Sequence, residues 1–320
     1  MKETSPLQND TREYRYIDSD PLFASYRDSL AQRRVGIVAL DLEAEFNLHV
    51  YGEHFCLLQI FDGHEAVLVD PRRVSMDPLR AFLEDRDLLK ITYDSASDRA
   101  LLFRTQNIRM RGLLDLRPAV ELLEFEKRGL SAVLEATLGI APVGGKKKYQ
   151  QYNWMRRPLD PGAIVYALED VLHLFELQKH LFALLQEKGL LERYILENLK
   201  VQDLDPQVGR RPGFLRTRRF YSLSSRKQAL LEALYQVREG YAQGENVPPD
   251  RVLPNRTLLD IVDEKVRLED LRPGRGITRG VFSSMISEMI QARDGEALPR
   301  ETSSSRPVIP GQKDSAGVSP

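Results

Sequence analysis

Apolar residues fall into short unbroken runs in the first half of the chain and recur at helical spacing in the second. Val35, Ile37, Val38 and Leu40, with only Gly36 and Ala39 among them, predict a strand over 35–43 in a central sheet. A run this continuous fits a strand covered on both faces, because a strand with one wet face alternates polar and apolar residues. HFCLLQIF at 54–61 and EAVLV at 65–69 predict two more strands, and Asp62-Gly63 between them predicts a hairpin. LLKITYD at 88–94 and GLLDL at 112–116 read as a fourth and a fifth strand.

Helical patterns surround these strands. Asp20–Arg33 carries Leu22, Phe23, Tyr26 and Leu30 on one face, with Asp20 as its cap and Pro21 in its first turn. Further helices are predicted over 77–86, 97–105, 117–125 and 130–138, and a long apolar helix over 161–186. A meander followed by alternating strands and helices gives an α/β fold, a mixed sheet covered by helices.

The pattern changes after Asn198. Residues 201–226 hold Pro206, Pro212, Gly209 and Gly213 among Arg210, Arg211, Arg216, Arg218, Arg219 and Arg226, and read as a basic linker. Residues 227–293 read as a small all-α domain, with one stripe at Leu230, Leu234, Val237 and Tyr241 and another at Phe282, Met285 and Met289. The resulting division is a polar arm at 1–18, an α/β domain at 19–200, the linker, the helical domain, and a Ser-, Pro- and Gly-rich tail at 294–320 expected to be disordered.

Composition narrows the function only a little. A formal net charge of −1 excludes a global basic field, so nucleic-acid binding would have to come from local patches. The single cysteine, Cys56, lies in an apolar run and excludes an intrachain disulfide framework. No signal segment and no apolar run near 18 residues is present, so the expected setting is cytoplasmic, away from membranes. The chain also lacks a GxxxxGK[ST] phosphate loop, which removes a helicase of that kind.

Carboxylates carry the chemistry. Asp41 and Glu43 end the first strand two positions apart and therefore share a face. Adjacent carboxylates repel, and a hard divalent cation relieves that repulsion. Asp98 opens a helix just past the fourth strand, which is expected beside the first; Asp94, at the strand end, is its rival. Tyr166 and Asp170 stand one helical turn apart on the long helix. Four carboxylates on one rim suit two divalent metals and phosphodiester hydrolysis, with a tyrosine hydroxyl to orient the water. Lys146, Lys147, Lys148, Trp154, Arg156 and Arg157, just ahead of that helix, are candidate contacts for a single strand, as are Arg218 and Arg219 in the linker.

Taken together, DxE, a later Asp and YxxxD resemble the ribonuclease D family of DEDDy 3′–5′ exonucleases. The quoted stretches are VALDLEAEFNLHVYGEHFCLLQI, KITYDSASDRALL and NWMRRPLDPGAIVYALEDVLHL. KQALLEALYQVREGYAQGENVPPDRVLPNRTLLDIV resembles the helicase-and-RNase-D C-terminal (HRDC) domain. The resemblance implies a ribonuclease-H-like core and catalytic roles for Asp41, Glu43, Asp98, Tyr166 and Asp170. It implies two Mg²⁺ or Mn²⁺ ions, one on Asp41, Glu43 and Asp170 and one on Asp41 and Asp98. The implied substrate is RNA with a single-stranded 3′ end, tRNA precursors in particular, released as nucleoside 5′-monophosphates. Two departures stand in the second motif, Tyr93 where the family usually has His and Asp94 where a small residue is usual. A 3′–5′ DNA exonuclease and a non-catalytic RNA-binding protein are the competing readings.

Overall fold

A computed structural model describes residues 13–141, 146–203, 212–274 and 276–295. The expected arm as far as residue 12, the linker at 204–211 and the tail from 296 lie outside the described residues.

The α/β domain is built on β1 (Tyr14–Ile17), β2 (Ile37–Phe46), β3 (Glu53–Phe61), β4 (Ala66–Val69), β5 (Leu89–Thr92) and β6 (Leu113–Asp115), in spatial order β1-β4-β3-β2-β5-β6. The pair β3–β4 is the predicted antiparallel hairpin, and β2 runs antiparallel to β3 and parallel to β5. Nine helices belong to this domain among the described residues: α1 (Asp20–Gln32), α2 (Met76–Leu83), α3 (Ala96–Gln106), α4 (Arg117–Leu122), α5 (Leu130–Leu138), α6 (Lys146–Gln150), α7 (Pro161–Leu172), α8 (Leu174–Glu187) and α9 (Leu191–Asp203).

Both faces of β2 are covered, as its sequence requires. Val38, Leu40 and Leu42 pack with Phe23, Tyr26 and Leu30 of α1, Phe82 of α2, and Leu101 and Leu102 of α3. Ala39 points the other way, into a core with Val120 of α4 and Leu174 and Leu177 of α8. Asp41 and Glu43 continue the Ala39 face, the side on which α7 packs over β2 and β3.

Several boundaries differ from expectation. Tyr14–Ile17, assigned to the polar arm, is an edge strand parallel to β4, with Ile17 buried. Four residues with one fully buried side chain are too few for a period to register. β2 runs three residues past Glu43, through a bulge between Glu43 and Ala44. Beyond the bulge Glu45 is buried, accepts hydrogen bonds from the Leu48 and His49 N–H groups and pairs with the His49 ring, closing the β2–β3 loop. The expected long helix over 161–186 is two helices, broken at His173 (φ −102°, ψ 0°); no proline or glycine marks that break.

The helical domain comprises α10 (Arg218–Tyr221), α11 (Ser225–Gly244), α12 (Pro249–Val252), α13 (Asn255–Val262) and α14 (Arg279–Asp294). Leu234, Val237, Phe282, Met285 and Met289 form its core, as the two stripes predict. Leu215, Phe220 and Leu223 join that core, so its packing begins inside the stretch read as linker. Arginine-rich composition masked three apolar anchors there. Tyr51 of the β2–β3 loop packs on this domain, and its hydroxyl donates to Glu239 at 3.2 Å.

Candidate active site

Asp41 and Glu43 project from β2 just ahead of its bulge, and Asp170 stands on α7, which packs over that strand. One carboxylate oxygen from each of the three lies within 4.8 Å of the others. Asp98 is outside this trio, but among charges its repulsion on Asp41 is the strongest. Burial, then Asp98, Asp170 and Glu43, push the Asp41 carboxyl well above its ordinary range. Glu43 is pushed up by burial, Asp170 and Asp98. Burial, with Asp115 and Asp94 adding repulsion, raises Asp98 to about 7. This all-oxygen donor set carries more negative charge than its surroundings tolerate, which fits a hard divalent cation.

A buried amide adds a second sign of incompleteness. Gln59 on β3 is paired directly with Asp41, so their side chains share a face. It is 0% exposed, and neither amide atom has a hydrogen-bond partner in the protein. An orphaned buried amide costs about 1–3 kcal/mol, and this one stands beside the residue most crowded by negative charge.

The second motif resolves into two differently placed carboxylates. After β5 the chain passes Asp94 in the left-handed region (φ 60°) and enters α3, with Asp98 in the first turn. The Asp94 side chain is 56% exposed and pairs with Arg117 at 3.2 Å. Asp98 therefore faces the trio while Asp94 is turned toward Arg117.

Tyr166 lies one turn before Asp170, its ring between Tyr149 (centroids 5.9 Å apart) and Trp154 (6.2 Å), tilted 34° and 35° to them. Asp160 caps α7 by accepting the Gly162 N–H at 2.9 Å, and it also accepts the Tyr149 hydroxyl at 3.3 Å. Gly162 leaves room for that hydroxyl: a Cβ there would stand 1.9 Å from the Tyr149 oxygen and would displace the phenol. Burial, then the charges of Asp170, Glu43 and Asp41, push the Tyr166 phenol far above its ordinary range. It remains an O–H donor and is not a base.

The RNA-contact candidates divide. Trp154 is 2% exposed and packed against Tyr152 and Tyr166, so no base can stack on it. Arg157 spends its guanidinium internally, on Asp70 (2.7 Å), the Tyr16 hydroxyl (3.0 Å) and the Cys56 carbonyl (2.6 Å). A basic and aromatic run does not reveal which members are pinned inside. Lys148, Arg156 and Arg218 are exposed, and Arg219 is exposed but paired with Asp263 at 2.6 Å. The side chains of Lys146 and Lys147 lie outside the described residues. Sequence reading also passed over Gln59. A polar residue inside FCLLQIF was the available signal for Gln59, since a buried polar group is more informative than an exposed apolar one.

A family model for 3′–5′ exonucleases matches residues 14–186, more than half of the chain, and the chain belongs to that family. An HRDC domain model matches residues 227–292. The resemblance to ribonuclease D extends along most of the sequence. Ribonuclease D of Sphingobium indicum is 28% identical over 233 residues, 71% of this chain and 59% of that protein. Ribonuclease D of Jannaschia sp. is 27% identical over 280 residues, 84% of this chain and 71% of that protein. Among solved structures, Escherichia coli RNase D, described as an exoribonuclease involved in structured RNA processing, superposes with a TM-score of 0.68 at 21% identity. The match covers 91% of this chain and 77% of that one. The fold is thus the expected exonuclease core with a helical HRDC domain. Among the described residues no helix is long and apolar enough to cross a membrane.

Proposed function

We propose that this chain is a metal-dependent exoribonuclease that trims RNA from its 3′ end, with tRNA precursors as its substrate class and the cytoplasm as its setting. The observation that carries this reading is the convergence of Asp41, Glu43 and Asp170 within 4.8 Å beneath Tyr166. The curated ribonuclease D relatives favour RNA as the polymer. The metal ligands are Asp41, Glu43, Asp170 and, toward a second ion, Asp98; the fitting ions are Mg²⁺ or Mn²⁺. When bound, such ions lower the pKa of an attacking water and offset charge on the departing oxygen.

The chain's own residues do the rest. Tyr166 keeps its proton and orients the attacking oxygen as a donor. Water adds to the terminal phosphorus, the bond to the 3′ oxygen of the preceding nucleotide breaks, and the phosphate leaves on the released nucleoside 5′-monophosphate. Tyr166→Phe removes one hydrogen bond to a charged centre and is expected to cost about 20-fold in turnover, with little change in RNA affinity. A KM effect without a turnover effect would assign Tyr166 to binding instead.

The test uses a 5′-labelled tRNA precursor with a single-stranded 3′ trailer, incubated with Mg²⁺ or Mn²⁺, beside a chelator control and a matched DNA strand. Stepwise shortening of RNA that the chelator stops is the expected result. RNA bound but never shortened would leave a binding protein, and faster loss of the DNA strand would make it a DNA exonuclease. Lys148, Arg156 and Arg218 are proposed phosphate contacts, so RNA affinity is expected to fall with salt. Substituting any one of them should lower the log–log salt slope by about 1.

A further inference from the structure

We propose that Asp115 is a positioning residue of the exonuclease site: it fixes the turn that aims Asp98, and α9 holds it there. This rests on the reading of Asp98 as a metal ligand.

Asp115 ends β6 and is 3% exposed, yet its carboxylate is fully used. One oxygen accepts the Asp94 N–H and the Arg117 N–H, both at 2.9 Å; the other accepts the Ser95 N–H and the Ser95 hydroxyl, both at 2.8 Å. Asp94 and Ser95 are the last two of the three residues between β5 and α3. The first has left-handed backbone, unfavourable for a residue with a Cβ, and the second is the N-cap of α3 without a side-chain bond of its own to the helix. A carboxylate from a neighbouring strand therefore secures the entry to α3, and Asp98 follows three residues after Ser95. Buried polar groups with every bond made hold one geometry.

Asp115 is itself anchored. Its backbone N–H donates to the Asn198 side chain at 2.7 Å, and its carbonyl accepts the Tyr194 hydroxyl at 3.0 Å and the Asn198 amide at 3.2 Å. Tyr194 and Asn198 are buried on α9, which begins after the family match ends at residue 186. The last helix of the domain thus reaches the active site through one strand-end carboxylate.

A positioning role and a purely electrostatic one have opposite signs. The charge of Asp115 repels that of Asp98, so if charge alone mattered, Asp115→Asn would tighten divalent binding. If alignment matters, the amide, with one acceptor oxygen where there were two, loosens the turn and weakens binding.

The full chain carrying Asp115→Asn is titrated with Mn²⁺ by calorimetry without RNA, and single-turnover shortening of a labelled RNA is followed against Mn²⁺. Half-saturation is expected at about tenfold more Mn²⁺, within the range seen when a ligand loses its hydrogen-bond partner. RNA affinity in chelator stays at the wild-type value. Asp98→Ala sets the scale, and Asp98→Ala/Asp115→Asn is expected to be no worse than Asp98→Ala alone. Unchanged or tighter Mn²⁺ binding, or an additive loss in the double variant, overturns the proposal. If Asp115→Asn does not fold, Ser95→Ala and Asn198→Ala take its place, with an expected shift of about two- to fivefold; unmoved curves overturn it equally. A wild-type chain that neither binds Mn²⁺ nor shortens RNA overturns the exonuclease reading and this proposal with it. An active wild type with an unmoved Asp115→Asn curve overturns the positioning role alone.

Discussion

Asp41→Ala is expected to lower metal-dependent 3′ shortening by at least about 10⁴-fold, a barrier increase of about 5–6 kcal/mol, while circular dichroism stays native. Asp41 is where all the other carboxylates act: Asp98, Asp170 and Glu43 each raise its pKa. Removing it takes an oxygen donor from the trio and from the side facing Asp98 at once. The fold survives because Val38, Leu40 and Leu42 still fill one face of β2 and Ala39 the other. Single-turnover assays at saturating Mg²⁺ and Mn²⁺ measure the loss. A near-normal metal-dependent rate in Asp41→Ala would remove the carboxylate rim from the mechanism.

How much of this could be read beforehand depended on how each residue is held. Asp41 and Glu43 were legible because strand geometry alone puts i and i+2 on one face, and Tyr166 and Asp170 because one helical turn separates them. Asp98 against Asp94 was open on residue spacing. What sets the two apart in the fold is the backbone, a left-handed residue at 94, and an Arg117 partner 23 positions away. Trp154 and Arg157 looked like surface contacts because composition does not reveal a partner such as Asp70, which comes from a distant strand end. Asp115 carried no signal of its own: GLLDL reads as a strand that ends in a polar residue, and only the folded chain puts that carboxylate under the entry to α3. Side chains that act through local periodicity were visible, and those that act across elements were not.

The HRDC domain is joined to the catalytic half by more than a tether. Tyr51, at the tip of the loop that follows the Asp41–Glu43 strand, donates its hydroxyl to Glu239 and its backbone N–H to Asn246. The same loop is closed internally by Glu45. The strand that carries two of the proposed ligands therefore continues, through its bulge and loop, into the surface on which the helical domain rests.

Without metal, the chain is expected to become less stable as pH rises from 5 to 8, and divalent ions are expected to reverse the trend. Asp41, Glu43 and Asp98 all have folded-state pKa values above the unfolded ones. Between the two values the native state binds more protons than the unfolded state, so each unit of pH in that window lowers stability. Asp98, raised from 3.8 to about 7 chiefly by burial, places a large part of this loss between those two values. Thermal unfolding in chelator should therefore give a lower Tm at pH 8 than at pH 5. Mn²⁺ at about 100 times its Kd adds about 2.7 kcal/mol of stability by mass action. Its effect should be larger at pH 8, where the carboxylates need not lose protons to bind it. Asp41→Asn separates this cluster from other titrating groups: it removes one charge and relieves the rest, so its Tm in chelator at pH 8 should exceed that of the wild type and fall less steeply with pH. A wild-type Tm that holds or rises from pH 5 to 8 in chelator, with Asp41→Asn no more stable, would mean that the four carboxylates are not crowded enough to call for a cation.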